Sequence, residues 1–101
     1  MQYYQKILVT VICESFLEKK IVAAAKEIGV RGYTVVPARG EGDRGIRGGD
    51  FEFSKNIKIE ILCRKETADT LCETIYNKFF DDYAVIFYRS TVDVLRSDKF
   101  K

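Results

Sequence analysis

From Lys6 to Cys13 the chain is apolar on both sides of an extended strand: Ile7, Val9, Val11 and Cys13 share one face, while Leu8, Thr10 and Ile12 supply the other. A strand with no solvated side belongs in the middle of a sheet, hydrogen-bonded along both edges and covered above and below. The remaining segments must therefore provide neighbouring strands on either flank and an apolar layer to cover them.

Ser15 is expected to open a helix, with Glu18 three residues on completing a capping box in which each side chain satisfies an orphan backbone donor. Leu17, Ile21, Ala24, Ala25 and Ile28 follow at helical spacing, and Gly29 offers the left-handed closing position. Gly32 to Val36 is β-branched and aromatic and ends near Pro37, whose missing amide suits a strand end or a sheet edge. Asn56 to Cys63 alternates, with Ile57, Ile59, Ile61 and Cys63 set against Lys58, Glu60 and Leu62. A second helix is expected over about Glu66 to Phe80, with Ala68, Leu71, Cys72, Ile75 and Phe79 on one stripe, and a last strand over Tyr83 to Arg89.

The order is β-α-β, a long connection, then β-α-β, and it predicts an α+β fold of the ferredoxin-like βαββαβ kind: two helices on one face of a four-stranded, mostly antiparallel sheet. A chain of 101 residues makes one domain, with a flexible loop over about 39–55 and a C-terminal tail over about 90–101. No further helix is left to cover the second face of the sheet, so that face is expected to pack against other copies of the chain.

The connection Arg39 to Asp50 holds five of the seven glycines and three arginines. Such a stretch cannot bury enough apolar surface to order itself, and a small domain that carries one uses it to meet a ligand or partner. Glycines let a ligand approach the main chain without meeting a Cβ, exposed amides can hold an anion, and Arg44 and Arg47 add planar donors suited to phosphate. The spacing is neither a Walker loop nor a dinucleotide fingerprint. Phe51 and Phe53 flank the loop as alternating aromatics that could enter a partner's groove or pack back on their own sheet.

A net charge of +2 argues against a nucleic-acid binder that needs many phosphate contacts. Three cysteines in no paired pattern, and no histidine, argue against a zinc site or a secreted disulfide framework. No stretch is long and apolar enough to read as a membrane span, and no leader pattern precedes the first strand; the expected compartment is the cytoplasm.

Gly32-Tyr33-Thr34-Val35, then Arg39-Gly40-Glu41-Gly42, a long loop, and Lys58-Ile59-Glu60-Ile61 resemble the second strand, flexible loop and third strand of the PII-type signal-transduction family. Within it, Gly42-x-Arg44-x-x-Arg47 and Asp82-Tyr83-Ala84 look most like the PII-like branch that regulates bicarbonate transport in carbon-concentrating bacteria. The resemblance implies a non-enzymatic homotrimer with adenine nucleotides in the clefts between subunits and no metal or prosthetic group. It implies a loop that docks on a membrane transporter or another target, and a protein peripheral to the membrane through that partner. Bicarbonate enters as a second ligand to test. Carried over by position, Thr34, Gly40 and Gly42 border the nucleotide, Leu62 contacts the base, and Arg44 and Arg47 reach phosphate. Ala84 and Val85 form part of the opposite wall, and Arg96 also approaches the phosphates.

The chain departs from the nitrogen-regulating members of that family. Phe80 to Val85 brings two carboxylates and no lysine where they carry a basic second loop, so AMP, ADP or cyclic AMP is expected rather than Mg-ATP. The only glutamines, Gln2 and Gln5, lie far from the loop, which argues against 2-oxoglutarate sensing, and no tyrosine stands in the loop for modification. Two other readings start from the same fold class: an acylphosphatase-type enzyme using an arginine loop and Asn56, and a metal-tolerance trimer of the CutA type. The first lacks a paired acid and base, and the second lacks soft ligands beyond three cysteines on apolar faces.

Overall fold

The computed structural model describes residues 1–42, 45–47 and 55–96, with the main chain alone for 41–42 and 45–47. The apolar first segment forms β1 (Tyr4–Glu14), a tight turn (Ser15–Leu17) leads into α1 (Glu18–Ile28), and β2 (Thr34–Ala38) follows. The glycine-rich connection carries two short strands, β3 (Gly40–Gly42) and β4 (Gly45–Arg47). The second half runs through β5 (Asn56–Cys63), α2 (Lys65–Ile75), a wider π-type turn (Tyr76–Phe80) and β6 (Ile86–Val94).

The main sheet has the order β2-β5-β1-β6 with every pair antiparallel. That is the ferredoxin-like α+β arrangement expected from the order of elements, with β1 in the interior as its two apolar faces require. Val9, Val11, Cys13, Ile59, Ile61 and Cys63 point to the helix side and are fully buried with Leu17, Ile21, Ala68, Leu71 and Ile75. In register, Leu8 lies between Leu62 and Ser90, Thr10 between Glu60 and Tyr88, and Ile12 between Lys58 and Ile86 on the other face. No helix of the described residues covers that face, and Ile86 and Tyr88 are exposed there.

Several local expectations are corrected. Ser15 and Glu18 form no capping box: neither helical turn has a side-chain cap. The Ser15 amide instead donates to the Lys55 carbonyl at 2.7 Å, which ties the end of β1 to the start of β5, and the Glu18 amide donates to the Ser15 carbonyl. The Glu18 amide, which a capping serine hydroxyl would have served, is already held by the Ser15 carbonyl. Gly29 does close α1 with φ 110°, the Gly29 amide bonding to Lys26 and the Val30 amide to Ala25 in a Schellman arrangement. β2 starts at Thr34 and runs past Pro37, which the edge position tolerates.

The last strand is Ile86–Val94 rather than Tyr83–Arg89. Tyr83 and Val85 are used in a turn, with the Tyr83 amide on the Phe79 carbonyl at 3.1 Å and the Val85 amide on the Tyr83 carbonyl at 2.9 Å. β1 offers partners as far as Tyr4, so Ser90 to Val94, expected in the tail, continue the ladder. The loop is not wholly without structure either: Gly40 pairs with Arg47, Glu41 with Ile46 and Gly42 with Gly45. A glycine-rich segment that cannot bury side chains here recovers backbone hydrogen bonds by pairing with itself.

Candidate functional site

The strand directions place the sequence-predicted site residues. Thr34 opens β2, exposed, opposite Glu60, and Leu62 stands two residues further along β5 on the same uncovered face, half-buried beside Leu8. β2 then climbs to Ala38, opposite Asn56, and delivers the chain to Gly40 at the base of the loop. Gly40 is exposed, and a Cβ added there would meet nothing within 4 Å, so the main chain is open to close approach. The main chains of Gly42 and Arg47 lie in the small hairpin, Arg47 directly opposite Gly40. Arg44, Phe51 and Phe53 fall outside the described residues. Thr34 and Gly40 thus lie six residues apart along the β2 edge, the first wall, with Leu62 one strand in on β5 and beyond Thr34 toward the end away from Gly40.

Ala84 and Val85 precede Ile86, whose partner on β1 is Ile12, so they stand at the same end of the sheet as Ala38 and Gly40. They occupy the opposite edge. Three strand spacings separate β2 from β6, about 14 Å at 4.7–4.9 Å each. Val85 is buried, and only its main chain can meet a ligand. An aromatic chain stiffens this second wall: Phe16 meets Tyr83 edge-on at 5.9 Å, Tyr83 lies 6.3 Å from Phe79, and Phe80 packs on Tyr76 at 5.1 Å and Phe87 at 5.9 Å. Asp81 and Asp82 are exposed beside it, with no ion pair among the described residues. Arg96 lies two residues past the far end of β6, whose extended span from Ile86 to Val94 is about 27 Å. One chain therefore does not bring the two walls, or Arg96, together.

One cluster had no sequence signal strong enough to single out. Asp69 accepts from Lys65 Nζ at 2.9 Å and from Arg89 Nη1 at 2.7 Å. The Lys65–Asp69 spacing is an ordinary helical pair, but Arg89 comes from β6, twenty residues away. Hydrogen bonds from Lys65 and then Arg89 hold the Asp69 carboxyl below the usual carboxylate range, and Asp69 in turn raises the Arg89 guanidinium. Burial pushes the Cys63 thiol up to about 11, and burial raises Cys72 against an opposing pull from Arg89. Cys63 and Cys72 are free thiols, and among the described residues no group of three or more metal-ligating side chains converges. No helix of the described residues is long and apolar enough to cross a membrane.

Comparison with known proteins matches this geometry. Residues 6–99 match the family described as nitrogen regulatory protein P-II. The chain is 39% identical, over the full length of both, to a PII-like signalling protein from Thermus thermophilus, with a TM-score of 0.87. CPII from Thiomonas intermedia K12, solved with ADP and bicarbonate, shares the fold at a TM-score of 0.88 and 24% identity, covering 99% of this chain and 98% of that one. GlnK of B. subtilis, solved with ATP, is more distant: TM-score 0.65, 21% identity, 87% of this chain and 82% of that one. With a family match running from β1 past the end of β6 and a full-length relative of the same fold, the chain belongs to the nitrogen regulatory protein P-II family.

Proposed function

We propose that this protein is a PII-like signalling homotrimer, not an enzyme, that binds adenine nucleotides in clefts between subunits and acts on a target through its loop. The supporting observation is the placement of the two walls. Gly40 on one side and Ala84 with Val85 on the other lie at one end of the sheet but on opposite edges, with Thr34 and Leu62 further along toward the other end, so a second copy is needed to bring the β2 edge of one chain against the β6 edge of the next. Trimers are typical of P-II proteins, and CPII of Thiomonas intermedia was solved with ADP, AMP and bicarbonate.

In this reading Thr34, Gly40 and Gly42 border the nucleotide, Leu62 receives the base on the uncovered sheet face, and Arg44 and Arg47 take the phosphates from the loop. The neighbouring chain contributes Ala84 and the Val85 main chain. Arg96 reaches the phosphates only from a chain other than the one that supplies Ala84 and Val85. Exposed Asp81 and Asp82 add negative charge beside the second wall, so AMP, ADP or cyclic AMP is the ligand rather than a triphosphate. Phosphate capture by the loop arginines orders the loop and changes what Phe51 and Phe53 present to the target, a bicarbonate or other membrane transporter at whose cytoplasmic side the protein acts. Bicarbonate is a second ligand of the same cleft.

A thermal-shift panel of AMP, ADP, ATP, cyclic AMP and bicarbonate tests this. A ligand at 100 times its dissociation constant stabilises by about 2.7 kcal/mol. Arg47→Ala should weaken AMP binding by about 1.5–3 kcal/mol if its guanidinium makes a charge-assisted bond to phosphate. An unshifted melting temperature with every adenylate would refute the assignment.

A further inference from the structure

A concavity lies on the helix side at the end of the sheet away from Gly40 and Ala84, on the face opposite the one that carries Leu62. β1 and β6 extend beyond the start of α2 and leave Gln5, Ile7, Arg89 and Thr91 uncovered on the helix side, with Lys65 at the rim; the space encloses about 320 Å³. Ile7 forms an apolar floor, partly buried against the core. Two cations reach over it and share a single carboxylate, one oxygen of Asp69 on each. The trio keeps a net positive charge. Asp69 occupies one donor of an ammonium that has three and one of a guanidinium that has five. The Gln5 amide and the Thr91 hydroxyl stand exposed at the rim.

We propose that this concavity is a second ligand site, for a small molecule with a carboxylate or phosphate head on a short apolar body. The head takes the spare donors of Arg89 and Lys65, and the body lies on Ile7. Asp69 shows the geometry that the two cations present to an oxyanion, and it is also an internal competitor, since every donor it holds is withheld from the ligand. The site therefore has an unusual sign. Removing the carboxylate strengthens binding, and removing a cation weakens it. A volume near 320 Å³ lies at the small end of the range for ligand pockets, which suits a compact acid better than a nucleotide.

The experiment titrates the full chain with inorganic phosphate and, separately, with propionate, following backbone amide resonances of Gln5, Ile7, Ser90 and Thr91. The expected result is saturable shifts with at least one probe, tightened about tenfold in Asp69→Asn and weakened about tenfold in Lys65→Gln, the change a single charge-assisted bond confers. Lys65 is 70% exposed, so its substitution leaves the fold intact where Arg89→Gln could perturb it. Saturation by phosphate alone assigns phosphate esters to the site, and saturation by propionate alone assigns organic acids. No shift with either probe, or equal affinity in both variants and the parent, overturns the proposal. AMP titrated into the same variants separates this site from the nucleotide cleft: unchanged AMP affinity is expected, and a parallel loss would make the concavity part of that cleft and overturn it as a separate site.

Discussion

Replacing Ile86 by glutamate distinguishes an assembled sheet face from a solvated one. Ile86 stands on the uncovered face opposite Ile12 and is 43% exposed in the single chain. Burying an isoleucine completely contributes about 1.5–3 kcal/mol, so the part still open is worth about 0.6–1.3 kcal/mol per chain if a neighbour covers it, or about 2–4 kcal/mol over a trimer. A carboxylate placed there would lose its water without gaining a partner, which costs several kcal/mol more per ion. In a lone chain the same carboxylate keeps its hydration, and the change costs no more than about 1 kcal/mol. Light scattering across a dilution series reads the difference directly. The parent should hold the mass of three chains and Ile86→Glu should fall to one, while Ala23→Glu, on the exposed side of α1, leaves the trimer unchanged. A parent that runs as one chain, or an Ile86→Glu trimer as stable as the parent's, would refute the argument that this face is covered by copies of itself.

Gly29→Ala should destabilise the fold by about 1–2 kcal/mol, measured by urea unfolding, because φ 110° is costly for an L side chain while a Cβ there meets nothing within 4 Å. The penalty is conformational rather than steric, so Gly29→Asn should lose less; equal losses would point to a clash instead. The Cys63 thiol stays protonated in the fold up to about 11 and in the unfolded chain only to its ordinary 9.0. Between those values the folded state holds the extra proton, so its contribution is complete below about 9, and stability falls as pH rises through the window. Urea midpoints for the parent and Cys63→Ala across that range should converge as pH rises, and parallel profiles would show that the thiol titrates alike in both states.

The fold was readable where a pattern was local and repeated. β1 declared its central position through two apolar faces, β5 through strict alternation, and α1 through spacing and a closing glycine. Boundaries failed where tertiary hydrogen bonds decided them. Ser15 looked like a cap until the Lys55 carbonyl claimed its amide, and Tyr83 looked like strand until the turn onto Phe79 absorbed it. The Lys65–Asp69–Arg89 cluster was invisible for the same reason, since Lys65 and Asp69 are an ordinary helical pair and Arg89 arrives from a strand twenty residues on. The residues proposed for the nucleotide came from family resemblance, and the sheet order puts Thr34 and Gly40 on one edge and Ala84 and Val85 by the other.

That separation leads to a test no single-chain site would pass. Arg47→Ala damages the loop wall and leaves the second wall intact, whereas Ala84→Glu places a carboxylate on the second wall and leaves the loop intact. Each variant alone should lose tight AMP binding at every cleft. If clefts form between chains, unfolding and refolding an equal mixture produces mixed trimers in which a cleft works only when its loop wall comes from the second variant and its opposite wall from the first. Random assortment makes each choice half the time, so about one quarter of the clefts should recover parental affinity. Calorimetry on the refolded mixture would show a tight component of about that stoichiometry, absent when the two variants are mixed without unfolding. A cleft built within one chain would recover nothing, because every chain in the mixture carries one broken wall. Refolded mixtures with no tight component, beside a refolded parent that binds normally, would therefore place the nucleotide within a single subunit and remove the reason for assigning Ala84 and Val85 to the neighbouring chain.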